Sequence, residues 1–69
     1  MFDARRLQAQ LVLKGKKTED VANALDINTA TYYRKLNRNG DFTREEMEKM
    51  ISFLEIEEPM AIFFAEADA

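Results

Sequence analysis

The chain contains neither cysteine nor histidine. These residues supply the commonest nucleophile, general base and metal ligands of proteins, so we expect no enzymatic activity, no metal site and no cofactor. Without cysteine, no disulfide framework can form. The sequence also has no run of about 18 apolar residues and no charged-then-apolar leader. We therefore expect a cytoplasmic protein.

Proline and glycine are scarce, with one Pro and two Gly among 69 residues. All three fall at the ends of predicted helices, and no repeat, linker or low-complexity stretch interrupts the chain. We therefore predict a single all-α domain over residues 1–69. A chain of this length buries only roughly 60% of its unfolded surface, so we expect marginal stability or a partner subunit.

Four polar residues stand where they can cap the start of a helix: Asp3, Thr18, Asn28 and Thr43. Glu46, three residues after Thr43, completes a capping box. Five helices are predicted from these caps and from apolar spacing. Helix 1 covers 4 to about 14, helices 2 and 3 lie within 18–37, and helix 4 covers 44 to about 54. A short helix 5 has Pro59 as its first residue and continues to 64.

Apolar residues at helical spacing predict the core of the bundle. Val12 and Leu13 widen the apolar face of helix 1. At least one of Phe63 and Phe64 must pack on helix 1 or 4, and the one left over is a candidate for a homodimer contact through the C-terminal apolar segment. The predicted core positions of helices 1 and 4 are Ala4, Leu7, Leu11, Met47, Met50, Ile51 and Leu54.

The most informative stretch, residues 18–37, is typical of a helix-turn-helix. Its first helix turns Val21, Ala22 and Leu25 inward, and the pattern breaks at the segment 26–28. The second helix buries only Tyr32 and Leu36, which are four residues apart. We expect Asp26 to occupy the left-handed backbone conformation of the turn, which glycine adopts freely and aspartate at moderate cost.

With Tyr32 and Leu36 inward, the opposite face of the second helix presents polar and cationic side chains. In major-groove docking, Arg34 can bind guanine O6 and N7, Thr29 can hydrogen-bond a base, and Ala30 can contact a thymine methyl. Tyr33 either reaches DNA with its hydroxyl or lays its ring over the helix surface. The predicted base-reading residues are Thr29, Ala30, Tyr33 and Arg34.

Charge is divided unevenly along the chain. Residues 1–40 carry eight cationic and four acidic side chains, whereas residues 41–69 carry two and nine. A polyanion would therefore meet the cationic, helix-turn-helix half first. The predicted contacts to DNA phosphates are Lys16, Lys17, Thr18, Thr31, Lys35, Asn37, Arg38 and Asn39.

Residues 18–22, 25–28, 32–37 and 41–54 together resemble the lambda-repressor-like family of Cro and repressor proteins, the Xre-type helix-turn-helix regulators. Residues 28–36 are similar to the Ser-x-x-Thr-Phe-Tyr-Arg-Lys-Leu form of small prophage regulators. The resemblance implies a four- to five-helix bundle that binds a pseudo-palindromic operator as a dimer. Two residues depart from the family pattern: Asp26 replaces the usual turn glycine, and Lys35 occupies a position that is often apolar.

These features favour a sequence-specific DNA-binding transcriptional regulator, Cro-like or repressor-like, which reads an operator with helix 29–37. The alternative is an antirepressor or adaptor on the same fold. Such a protein would bind a second regulator through its acidic C-terminal half or the Phe63-Phe64 segment. A metal-dependent nuclease is a third hypothesis, but it would need clustered acids on the DNA side, and the sequence places them on the other half.

Overall fold

Five α-helices form the computed structural model, which describes residues 1–65. No strand occurs within these residues, so the all-α class is confirmed. The Cα radius of gyration is 11.1 Å, close to the about 11 Å expected of a compact domain of this length. Helix α2 contacts α3 and α4, and α1 contacts α5. The helices are α1 (Ala4–Leu13), α2 (Thr18–Ala24), α3 (Thr29–Asn37), α4 (Arg44–Leu54) and α5 (Pro59–Phe63).

Three of the four predicted caps are confirmed by hydrogen bonds at the helix starts. The side chains of Asp3 and Asn28 accept the backbone N–H three residues on, at 3.1 and 2.7 Å. Thr43 and Glu46 form the predicted capping box, in which each side chain accepts the backbone N–H of the other residue, at 3.1 and 2.8 Å. These bonds satisfy N–H groups that have no partner within the helix.

The predicted cap of α2 is wrong. Thr18 is the first helical residue and Lys17 is the capping position. Asp20, which lies inside the helix, accepts the Lys17 backbone N–H on its carboxylate at 2.9 Å. No side chain at the capping position accepts a hydrogen bond from the helix. The Thr18 hydroxyl instead accepts a hydrogen bond from the Tyr33 O–H at 3.3 Å.

Helices α1 to α4 are each followed, within two residues of their last residue, by a residue with positive φ: Gly15, Asp26, Asn39 and Glu55. The expected left-handed conformation of Asp26 is confirmed, with φ at 59°. Glu55 in this conformation was not expected, because glutamate rarely adopts it. Helices α1 and α5 each end one residue earlier than predicted, and α5 begins at Pro59 as predicted.

The core joins all five helices and contains the inward residues of α2 and α3 that the sequence predicted. Val12 and Leu13 are exposed, at 81% and 73%, so the prediction that they widen the buried face of α1 is wrong. Ala4, Met47 and Ile51 are only partly buried. The fully or nearly buried apolar residues are Leu7, Leu11, Val21, Ala22, Leu25, Tyr32, Leu36, Phe42, Met50, Leu54, Ile56, Ile62 and Phe63.

The two C-terminal phenylalanines have different environments. Phe63 is buried, and its ring centroid lies 5.9 Å from that of Phe2, whereas Phe64 is 56% exposed. Of this pair, only Phe64 is therefore available to a subunit contact. Across residues 1–65, every helix is too short or too polar to cross a membrane.

Candidate nucleic-acid interface

Helix α3 is anchored to the core by two side chains, Tyr32 and Leu36. Tyr32 has no exposed surface, and its hydroxyl donates a 2.8 Å hydrogen bond to the Gln8 side-chain oxygen on α1. Burial raises the pKa of Tyr32 to about 12, and the neighbouring Tyr33 adds to the rise. Leu36 lies one turn further on and is 8% exposed. This pair fixes which face of α3 looks outward.

The outward face of α3 carries Thr29, Ala30 and Arg34, and all three are exposed. The Arg34 side chain forms no hydrogen bond and no ion pair with any other residue between 1 and 65. Its guanidinium therefore has all five N–H donors available for an external acceptor.

Tyr33 borders this face and contacts α2. Its hydroxyl donates to the Thr18 hydroxyl at 3.3 Å, and its ring lies edge-on to Tyr32 with centroids 5.8 Å apart. Of the two interpretations of Tyr33, the ring laid over the protein surface describes the unbound structure. The residue is still 46% exposed.

The candidate phosphate contacts lie in the α1–α2 loop and at the two ends of α3. Lys17 is exposed, and Lys16 places its ammonium 5.1 Å from the ring centroid of Phe53, an arrangement that favours a cation. Thr31 is half-buried, and its backbone N–H donates to the side chain of Asn28, the capping residue of α3. The exposed residues at the C-terminal end of α3 are Asn37, Arg38 and Asn39.

Lys35 differs from the other cations because it is already paired. Its ammonium lies 3.0 Å from Glu46 Oε1 on α4, and the two side chains are only 19% and 13% exposed. Although burial alone would raise the pKa of Glu46, hydrogen bonds from the Thr43 backbone and from Lys35 hold it below its ordinary value. The prediction of a phosphate contact for Lys35 is not supported by this geometry, because the charge serves to join α3 to α4.

The acidic side chains of α4 do not cover the outward face of α3. Glu45 and Glu48 pair with the cations of their own helix, at 3.9 Å to Lys49 and 3.3 Å to Arg44. Asp26 is the last acidic residue before α3 in the sequence, and it is exposed in the turn between α2 and α3. Within residues 1–65, no three acidic side chains gather in a way that could hold a metal ion.

No family model, curated protein or solved structure matches this chain. An assignment of function therefore depends on the chemistry of the surface alone. The surface consists of an anchored helix with an unbonded arginine, flanked by exposed cations and amides.

Proposed function

We propose that the protein is a sequence-specific DNA-binding transcriptional regulator with a helix-turn-helix of the lambda-repressor-like kind, formed by α2 and α3. The observation that carries the proposal is the contrast between the two sides of α3. Tyr32 and Leu36 are buried, while Thr29, Ala30 and Arg34 face solvent without internal partners. An α-helix that presents donors, a small methyl group and a guanidinium on one face suits the width and chemistry of the major groove.

Each outward residue has a role in this proposal. Arg34 binds guanine O6 and N7, Thr29 hydrogen-bonds a base edge, and Ala30 contacts a thymine methyl. Tyr33 and Thr18, which are hydrogen-bonded to each other, lie at the rim where a phosphate passes. The remaining proposed phosphate contacts are Lys16, Lys17, Thr31, Asn37, Arg38 and Asn39.

The test begins with selection from duplexes that contain about 20 random base pairs, enough for two half-sites one helical turn apart. The affinity of the selected duplex is then measured at two salt concentrations. Arg34→Ala should cost about 1–3 kcal/mol and relax the preference at one base position. Lys17→Ala should weaken all sequences alike and reduce the salt slope by about 0.9. Lys49→Ala, on α4, removes one cation outside the proposed interface and is the matched control.

Two results would contradict the proposal: selection that enriches no sequence, or Arg34→Ala and Lys17→Ala variants that bind as the Lys49→Ala control does. The alternative, an antirepressor or adaptor that binds a second regulator through its acidic half, would then be favoured. Of the α4 carboxylates, only that of Glu46 is largely buried in its ion pair, with Lys35, so Glu46 is not available to such a partner, whereas Glu45 and Glu48 remain exposed.

A further inference from the structure

Asn39 and Gly40 lie in the turn between α3 and α4, beside the C-terminal end of the proposed DNA-binding helix. Asn39 is exposed, and its side chain forms no hydrogen bond with any residue between 1 and 65. Within the same range, neither the Asn39 carbonyl nor the Gly40 N–H forms a hydrogen bond. The peptide group that joins the two residues can therefore rotate without breaking a hydrogen bond.

Packing and backbone conformation both require glycine at position 40. The φ of Gly40 is +70°, where residues with a Cβ are strained, and a Cβ would overlap the ring of Phe2. The Phe2 ring is itself held in place, with its centroid 6.0 Å from that of Phe42 and 5.9 Å from that of Phe63. Asn39 has a φ of 59°, a conformation in which asparagine is favoured over most other residues. The fold therefore favours Asn followed by Gly at an exposed turn.

We propose that Asn39 is a deamidation site and that its conversion to aspartate or isoaspartate weakens DNA binding. In this reaction the Gly40 nitrogen loses its proton to water and attacks the side-chain carbonyl carbon of Asn39, an approach that a residue without a side chain hinders least. The side-chain amide leaves as ammonia, and a cyclic succinimide forms. Water then adds to either ring carbonyl and opens the ring. In sum, an amide and water give a carboxylic acid and ammonia, with no change of oxidation state.

The other three asparagines of the chain lack this combination of features, because none of them precedes a glycine. Asn23 and Asn37 lie within helices, where the backbone is hydrogen-bonded. Asn28 caps α3, and its side-chain oxygen accepts the Thr31 N–H at 2.7 Å. Each of these residues must break at least one hydrogen bond before the nitrogen that follows it can attack. They therefore serve as internal references for the reactivity of Asn39.

Deamidation would place a negative charge at the edge of the proposed DNA-binding face. Asn39 follows Arg38, and both residues are exposed and belong to the proposed phosphate contacts. The neutral amide can donate to a phosphate oxygen, whereas a carboxylate only accepts hydrogen bonds and is repelled by phosphate. A negative charge also opposes the dipole at the C-terminal end of α3. This consequence rests on the proposed function, but the modification itself does not. The fraction of active regulator would fall with the age of the protein.

Peptide mapping by mass spectrometry tests the modification without DNA. The folded wild type is incubated for days in neutral buffer, and each asparagine is monitored for exchange of its amide for a carboxyl group. Asn39 should react at least about tenfold faster than Asn23, Asn28 and Asn37, which must first break a hydrogen bond. Asn39 should also react within about tenfold of its rate in a synthetic peptide of residues 36–43, because the fold adds no hydrogen bond to break. Stronger protection in the folded protein, or equal rates at all the asparagines, would overturn the proposal.

DNA binding tests the consequence of the modification. Asn39→Asp carries the charge of the product and should bind the selected duplex about five- to tenfold more weakly than the fresh wild type. The matched control, Asn23→Asp, adds the same charge outside the proposed contacts and should bind as the wild type does. The incubated wild type should lose affinity in proportion to the Asn39 converted. Asn39→Gly keeps the positive φ without strain and has no amide to lose, so its affinity should be the same before and after incubation.

The outcomes separate the modification from the proposed function. Circular dichroism first shows whether each variant is folded. The regulatory role would be overturned by an Asn39→Asp variant that binds as Asn23→Asp does, or by an Asn39→Gly variant that loses affinity on incubation as the wild type does. A fresh wild type that binds no selected duplex would contradict the proposed function and the regulatory role together. Peptide mapping would still decide whether Asn39 is modified.

Discussion

The ion pair between Lys35 and Glu46 should be a measurable part of the stability of this domain. Glu46 Oε1 accepts two hydrogen bonds, from the Thr43 N–H at 2.8 Å and from the Lys35 ammonium at 3.0 Å. A bond to a charged group contributes about 1.5–3 kcal/mol and a neutral one about 0.5–1.5. Glu46→Gln keeps an acceptor oxygen, so it should lose about 1 kcal/mol at each bond, or about 2 kcal/mol in all.

A double-mutant cycle isolates the share that belongs to the pair. Lys35→Met keeps the aliphatic stem and removes only the ammonium, so it should cost about 1.5 kcal/mol. Because both single variants remove the same ion pair, the double variant should fall short of their sum by about 1 kcal/mol. Urea unfolding followed by helical circular dichroism measures each value. Glu48→Gln, whose partner Arg44 is 91% exposed, is the control and should change little.

The pH dependence provides an independent check. The folded-state pKa of Glu46 is below its ordinary value of 4.5, so its contribution is present above that pH and is lost as the pH falls through the folded-state pKa. The difference between the wild type and Glu46→Gln should therefore shrink in acid. Additive single-variant effects within about 0.3 kcal/mol, or a difference independent of pH, would refute the reasoning. Lys35→Met should also leave the salt slope of DNA binding unchanged, unlike Lys17→Ala.

Two further predictions concern a glycine and a tyrosine. A Cβ at Gly40 would overlap the ring of Phe2, whereas at Gly15 it would meet open space, although both have positive φ. Urea unfolding should therefore show a loss of about 1–2 kcal/mol for Gly15→Ala and about 2–4 for Gly40→Ala, and equal losses would contradict the packing argument. Tyr32→Phe should cost about 1 kcal/mol by leaving Gln8 without its donor. Because the pKa of Tyr32 is raised to about 12, the contribution of Tyr32 to the free energy of unfolding is present below pH 10 and is lost toward pH 12. A Tyr32→Phe variant whose stability falls with alkaline pH in the same way as that of the wild type would contradict this.

Local signals predicted the helices well because caps and apolar spacing act over only a few residues. Asp3, Asn28 and Thr43 bond N–H groups three residues away, so their roles depend on nothing distant in the chain. The buried pair on α3 follows from helical geometry in the same way. The prediction of the α2 cap was wrong because the capping position is occupied by Lys17, a residue type that rarely caps helices. The Lys17 N–H is bonded instead by the Asp20 carboxylate, which lies inside the helix.

Long-range contacts were missed because sequence spacing does not tell which helices meet. The sequence alone makes Lys35 a candidate phosphate contact, but the packing of α3 near the start of α4 places Glu46 beside it. Val12 and Leu13 satisfy an apolar pattern, yet α1 buries only the side formed by Leu7 and Leu11.

The same long-range contacts determine how α3 would present its outer face. Tyr32 bonds it to Gln8 on α1, and Lys35 bonds it to Glu46 on α4, so two helices restrain its position from different sides. A surface that is ordered before binding avoids the entropy cost of ordering it in the complex. In the proposed DNA complex, the backbone that carries Arg34 is therefore already fixed, and only the arginine side chain must be ordered to contact a base. Specificity should accordingly depend on residues such as Glu46 that never touch DNA, because they set the direction from which the helix enters the groove.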